Sequence, residues 1–150
     1  MSENSKDGHM DFEIDLKLKN PPFQFEVDFK LPDVDEFVVD EPPDIGGEGK
    51  GPSASRVLAS AIGFCLSASL TFCLRKSRLE VKNIKTKVRG TIRRNKDGYW
   101  RIQSIQVEIS PTLEPGTPQN KIDRCKEIFE RYCIVTGSVR QGIPVEVRFV

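Results

Sequence analysis

The 150-residue chain has a single histidine, His9, in a polar N-terminal stretch. That leaves no material for a Ser-His-Asp triad or a histidine-ligated metal centre. Its four cysteines include no C-x-x-C pair, so zinc-site spacing is missing too, and neither a metal nor a cofactor is expected. The first ten residues contain no apolar run of the kind a secretory signal needs. The cysteines are therefore expected as reduced thiols of a cytoplasmic protein and not as a disulfide framework. With 37% hydrophobic and 30% charged residues, the composition is that of a globular chain with a modest core. Residues 1–10 are expected as a flexible tail and residues 11–150 as one domain.

The net charge of +1 conceals an asymmetry. Residues 1–50 carry 14 acids against 5 bases, whereas residues 51–150 carry 8 acids against 18 bases. Halves of opposite sign are expected to lie against each other. Apolar residues alternate strictly at Phe12, Ile14, Leu16 and Leu18, then again from Phe23 to Leu31, with Asn20-Pro21-Pro22 between. Period two with such a break predicts a hairpin of two half-buried strands, and residues 36–39 a short third strand.

The loop over residues 40–53 contains GGEGKG, but Asp44 and Gly51 stand where a phosphate-binding loop needs Gly and Ser or Thr. The 18 residues from Val57 to Leu74 carry no charge. Five Ser, Thr and Gly residues dilute the run, so it reads as a buried helix and not as a membrane span. An all-round apolar helix must be covered on every side, which calls for a second subunit.

A second hairpin follows, with Ile84, Thr86, Val88, Gly90 and Ile92 inward and its turn at Asn95–Gly98. Thr117-Pro118 reads as the cap of a helix carrying Ile122, Cys125, Ile128, Phe129, Tyr132 and Cys133. Gly137 is expected past its end, and Ile143–Val150 as a closing strand. This order of elements predicts an α+β fold.

Cys65 and Cys73 lie eight residues apart on one predicted helix, and Cys125 and Cys133 eight apart on the other. Eight residues rise about 12 Å, so neither pair can bond within its helix and any functional pair must join the two. Cys73 and Cys125 read as packing residues.

The segment G51-P-S-A-S-R-V-L-A-S-A-I-G-F-C65 resembles the cysteine-bearing helix of the OsmC/Ohr family, and C133-I-V-T-G-S-V-R-Q-G-I-P-V-E-V147 resembles its second signature. The resemblance, over residues 36–150, implies antiparallel sheets around a long buried central helix in an intertwined homodimer. It places an active site at the subunit interface. It also implies a thiol-dependent hydroperoxide reductase, with Cys65 peroxidatic, Cys133 resolving, and a small thiol or dithiol as reductant. The sequence departs from the pattern of active members. Ser55-Arg56 stands where they carry a glutamate, and no arginine precedes Arg56. Activation of Cys65 then falls to Arg140 or to a residue of the second chain. If nothing supplies it, the chain is a non-catalytic binding dimer of the same fold. A third reading is nucleic-acid binding through residues 75–101, where eleven bases stand against Glu80 and Asp97, with Tyr99 and Trp100 at the turn. A solvated basic face is the plainer account of that hairpin.

Overall fold

A computed structural model describes residue 8 and residues 10–150; His9 and most of the expected tail lie outside the described residues. The fold is α+β, with antiparallel sheets and a long central helix. Its chain forms two compact units, Met1–Arg56 and Val57–Val150.

In the first unit, β1 (Asp15–Asn20), β2 (Gln24–Asp28) and β3 (Phe37–Val39) form one antiparallel sheet in that order. The register sets Leu16 opposite Val27 and Leu18 opposite Phe25, so the alternating apolar residues share a face as expected. That face is only partly buried. Val27 is enclosed, but Phe12, Ile14, Leu16 and Leu18 are exposed, Phe12 at 85%. Period two specifies which residues share a face, but covering that face requires another layer.

The loop after β3 is organised by the buried Asp40 carboxylate, which accepts from the backbone N–H groups of Glu41 (2.8 Å), Glu48 (3.2 Å) and Lys50 (3.0 Å). Its glycines serve close packing: a Cβ on Gly47 would lie 1.9 Å from the Glu41 carbonyl oxygen. Replacing Asp40 by alanine orphans these donors and is expected to destabilise the protein by about 2–4 kcal/mol. Urea denaturation reads this directly, and an unchanged midpoint would refute the role.

In the second unit, α1 (Ala54–Lys76) carries on past both ends of the uncharged run. Its end is a Schellman motif: Leu79 N–H donates to the Leu74 carbonyl (3.0 Å) and Arg78 N–H to that of Arg75 (2.9 Å). Arg78 occupies the left-handed position at φ 57°, where a non-glycine residue costs about 1 kcal/mol. One face of α1 packs on the hairpin of β4 (Val81–Arg94) and β5 (Trp100–Leu113). Contact is closest at Gly63, where a Cβ would meet Val88 Cγ2 at 2.7 Å, and one turn on Ser67 Oγ lies 2.6 Å from Thr86 Oγ1. The opposite face, with Phe64 and Phe72, is exposed. By length and apolarity α1 could cross a membrane, yet Ile62, Leu66, Leu70 and Leu74 all contribute to the core.

The β4–β5 turn is as expected: Asn95 Oδ1 accepts from Asp97 N–H (3.1 Å) and Tyr99 N–H (2.9 Å). Ile92, expected inward, is exposed because the register shifts between Thr91 and Ile92. Pro118 and not Thr117 stands at the N-cap position of helix α2 (Gln119–Ile128), which has no side-chain cap; the Thr117 hydroxyl donates instead to the Glu114 carbonyl at 2.5 Å. The predicted single helix through Cys133 is also corrected. After Ile128 the chain tightens into a 3₁₀ turn over Phe129–Tyr132, and Cys133 begins a further helix, α3 (Ile134–Gln141), which contains Gly137. The physical reason is the Cys133 side chain, which accepts from the Thr136 N–H and so caps a new helix. Residues 143–150 keep their alternation but form no strand, and Val145, Val147 and Phe149 are exposed. A strand needs a ladder partner, and no described strand of this chain pairs with the segment.

Candidate thiol site

Cys65 projects from the middle of α1, and Cys133 stands at the start of α3, where the 3₁₀ turn delivers it against α1. Both lie in one apolar cluster with Ile62, Leu66, Ile105, Val107 and Phe129. Residues 68 positions apart in sequence thus meet in one cluster, where each thiol bears on the ionisation of the other. Cys133 is 2% exposed, whereas Cys65 is half-buried.

The donors come from the first turn of α3. Cys133 Sγ lies 3.0 Å from Thr136 Oγ1 and accepts from Thr136 N–H at 3.4 Å. Burial alone would push the Cys133 thiol up. The hydrogen bonds from Cys65, from Thr136 and from the Val135 N–H outweigh it, and Cys133 ends below the ordinary thiol range. Cys65 is pushed up, first by burial and then by its hydrogen bond to Cys133. The N–H groups of Val135 and Ile134 oppose that rise and do not cancel it.

Arg140, which the sequence offers as an activator, donates to Glu130 at 2.7 Å and is mostly exposed. Hydrogen bonds from the backbone amides of α3 favour the thiolate at both sulfurs, and Thr136 adds to them at Cys133. Sequence reasoning misses Thr136; the signal available was a hydroxyl residue three positions after a cysteine, the spacing of a helix cap.

A cavity of about 650 Å³ shares Ile62, Leu66, Phe129 and Thr136 with the surroundings of the two cysteines, although neither cysteine lines it. Leu58, Ile62 and Leu66 of α1 and Ile105, Val107 and Ile109 of β5 form its apolar walls; Thr136 and the Glu130–Arg140 pair are its polar margin. This volume and lining suit a small apolar ligand with one polar end.

Cys73 and Cys125 form a second cross-helix pair, buried with Leu70, Leu74 and Leu79. Burial and the hydrogen bond to Cys125 push the Cys73 thiol up to about 11, against the opposing Arg124. Their burial in the core cluster suits the packing role expected of Cys73 and Cys125. On the basic hairpin, the Arg94 and Arg101 guanidinium groups lie 4.7 and 5.4 Å over Trp100 and Tyr99. Each ring thus carries an arginine over one face while remaining exposed.

An α+β fold with a cysteine on its central helix, paired with a second at a helix start beside an apolar chamber, defines a dithiol protein. The family model described as OsmC-like protein matches residues 47–148, and the chain belongs to this family. Solved structures share the fold. An OsmC-like protein of unknown function from Vibrio cholerae superposes at TM-score 0.70 with 8% identity, over 86% of this chain and 93% of that one. An OsmC-like protein from Mycoplasma pneumoniae gives 0.69 and 16%, over 89% of each chain. An organic hydroperoxide resistance protein OsmC from Legionella pneumophila, also described as a predicted redox protein, gives 0.61 and 11%, over 87% and 89%. Comparison with curated proteins gives no match.

Proposed function

We propose that the protein is a thiol-dependent reductase of organic hydroperoxides, acting through Cys65 and Cys133 as a cytoplasmic homodimer with its site at the subunit interface. The observation that carries this reading is the meeting of Cys65 and Cys133 in one apolar cluster, whose Ile62, Leu66 and Phe129 also wall the cavity. Cys65, the more exposed sulfur, attacks the O–O bond as a thiolate. It becomes a sulfenic acid, and the alkoxide leaves, taking a proton to become the alcohol. The Cys133 sulfur then displaces water to form the Cys65–Cys133 disulfide. A dithiol reduces that bond, itself becoming a disulfide. The dimer is supported by the exposed Phe64 of α1 and by the unpaired alternation of residues 143–150.

The test uses reduced protein whose mass by light scattering is that of a dimer. Adding cumene hydroperoxide should consume the peroxide and yield a Cys65–Cys133 disulfide on peptide mapping. A monomer, or neither bond nor consumption, would overturn the respective part.

A second reading is a binding dimer without catalysis. It is favoured by the raised Cys65 thiol and by Arg140 being engaged with Glu130. A Cys65 that titrates above the ordinary thiol value of about 8.5, with no peroxide turnover, would select it.

A further inference from the structure

A second cavity of the same unit, about 560 Å³, lies between the end of α1 and α2. Lys76, Arg78, Lys121 and Arg124 line it, and Phe72 and Tyr132 form aromatic walls. Among the described residues none of the four cations makes an ion pair. Asp123, the acid nearest in sequence to Lys121 and Arg124, is occupied by Gln119 and Lys126. Lys76 Nζ lies 5.0 Å over the Phe72 ring, and Lys121 Nζ donates to the Ser77 carbonyl at 3.4 Å.

Compensation of helix dipoles accounts for Lys76, which stands in the last turn of α1. It also covers Lys121 through the Ser77 carbonyl just past the helix end, which leaves Arg78 and Arg124. On α2 itself Lys121 lies in the first turn, which contains no acid, and there a cation adds to the positive end of the dipole. Arg78 occupies a left-handed position that ordinarily takes glycine. Four like charges around one cavity repel each other until an anion enters, and the low-dielectric walls concentrate their field.

We propose that this cavity binds a small organic phosphate monoester, its dianionic head among the four cations and its apolar body against Phe72, Ile128 and Tyr132. The charge calls for more than one carboxylate. A phosphate monoester is close to doubly charged at neutral pH, and its oxygens match the forked donors of Arg78 and Arg124. The site is independent of the dithiol.

Isothermal titration of the full-length protein at low salt with phenyl phosphate, inorganic phosphate, benzoate and phenol tests this. Phenyl phosphate should bind most tightly, inorganic phosphate and benzoate more weakly, and phenol not at all. Arg124→Ala and Lys121→Ala should each weaken phenyl phosphate by about tenfold, while Lys96→Ala in the β4–β5 turn leaves it unchanged. All three side chains are exposed, and circular dichroism checks that each variant folds. Absence of binding, equal affinity for benzoate, or undiminished binding in both cavity variants would overturn the proposal.

Discussion

Serine in place of Cys65 is expected to lower turnover of cumene hydroperoxide, with a dithiol as reductant, by roughly three orders of magnitude. Serine in place of Cys133 should behave differently. Without added thiol that variant should take up about one equivalent of peroxide and stop at a Cys65 sulfenic acid that dimedone traps, whereas the wild type proceeds to the disulfide. The electrostatics add a second signature. In the wild type the Cys65 thiol is raised by burial and by its neighbour Cys133. Its thiolate fraction therefore keeps growing with pH beyond the ordinary thiol range. Removing Cys133 takes away the second cause but leaves burial, so the Cys65 pKa falls. Alkylation of Cys65 at neutral pH should then speed up, because more of the thiol is ionised. Iodoacetamide labelling followed by peptide mass measurement reads both effects. Wild-type peroxide consumption by Cys65→Ser would sink the assignment.

Alanine in place of Leu74 is expected to cost about 3–5 kcal/mol. Leu74 is fully buried, in one cluster with Leu70, Leu79 and Cys125. Its carbonyl also accepts the Leu79 N–H that closes α1, so side chain and backbone meet in the same contact. Truncation empties the cluster where α1 meets α2 and loosens the hydrophobic part of the helix stop. For a chain of this size the melting temperature should fall by about 10 °C. Leu74→Met, which conserves volume, should lose less than about 1.5 kcal/mol. Thermal and urea unfolding of the pair separate cavity formation from a general intolerance of change at the site. Equal losses would refute the packing account.

Both hairpins were legible because period two and turn chemistry act locally: Asn95 carries its own turn through its side chain. The central helix was legible from its uncharged run. What escaped depends on partners distant in sequence. Apolar spacing continues smoothly from Ile122 to Cys133, so nothing in the periodicity marks the break after Ile128; the break arises because the Cys133 sulfur caps a new helix. Residues 143–150 alternate like a strand, but alternation says nothing about which edge will receive them. At the site, Cys65 and Cys133 could be named from their sequence contexts. The inversion of their acidities could not, because it depends on which sulfur the α3 amides favour.

The two thiol pairs, Cys65 with Cys133 and Cys73 with Cys125, run in opposite senses along their segments with equal spacing, like two rungs of a ladder. Four thiols admit three connectivities, and the rungs stand about 12 Å apart. Of these, only the connectivity that joins Cys65 to Cys133 and Cys73 to Cys125 pairs cysteines that are neighbours in the folded state. A crossed or intrahelical disulfide would therefore come from a chain that had already opened. The pattern of bonds trapped after oxidative stress thus records whether oxidation came before or after unfolding.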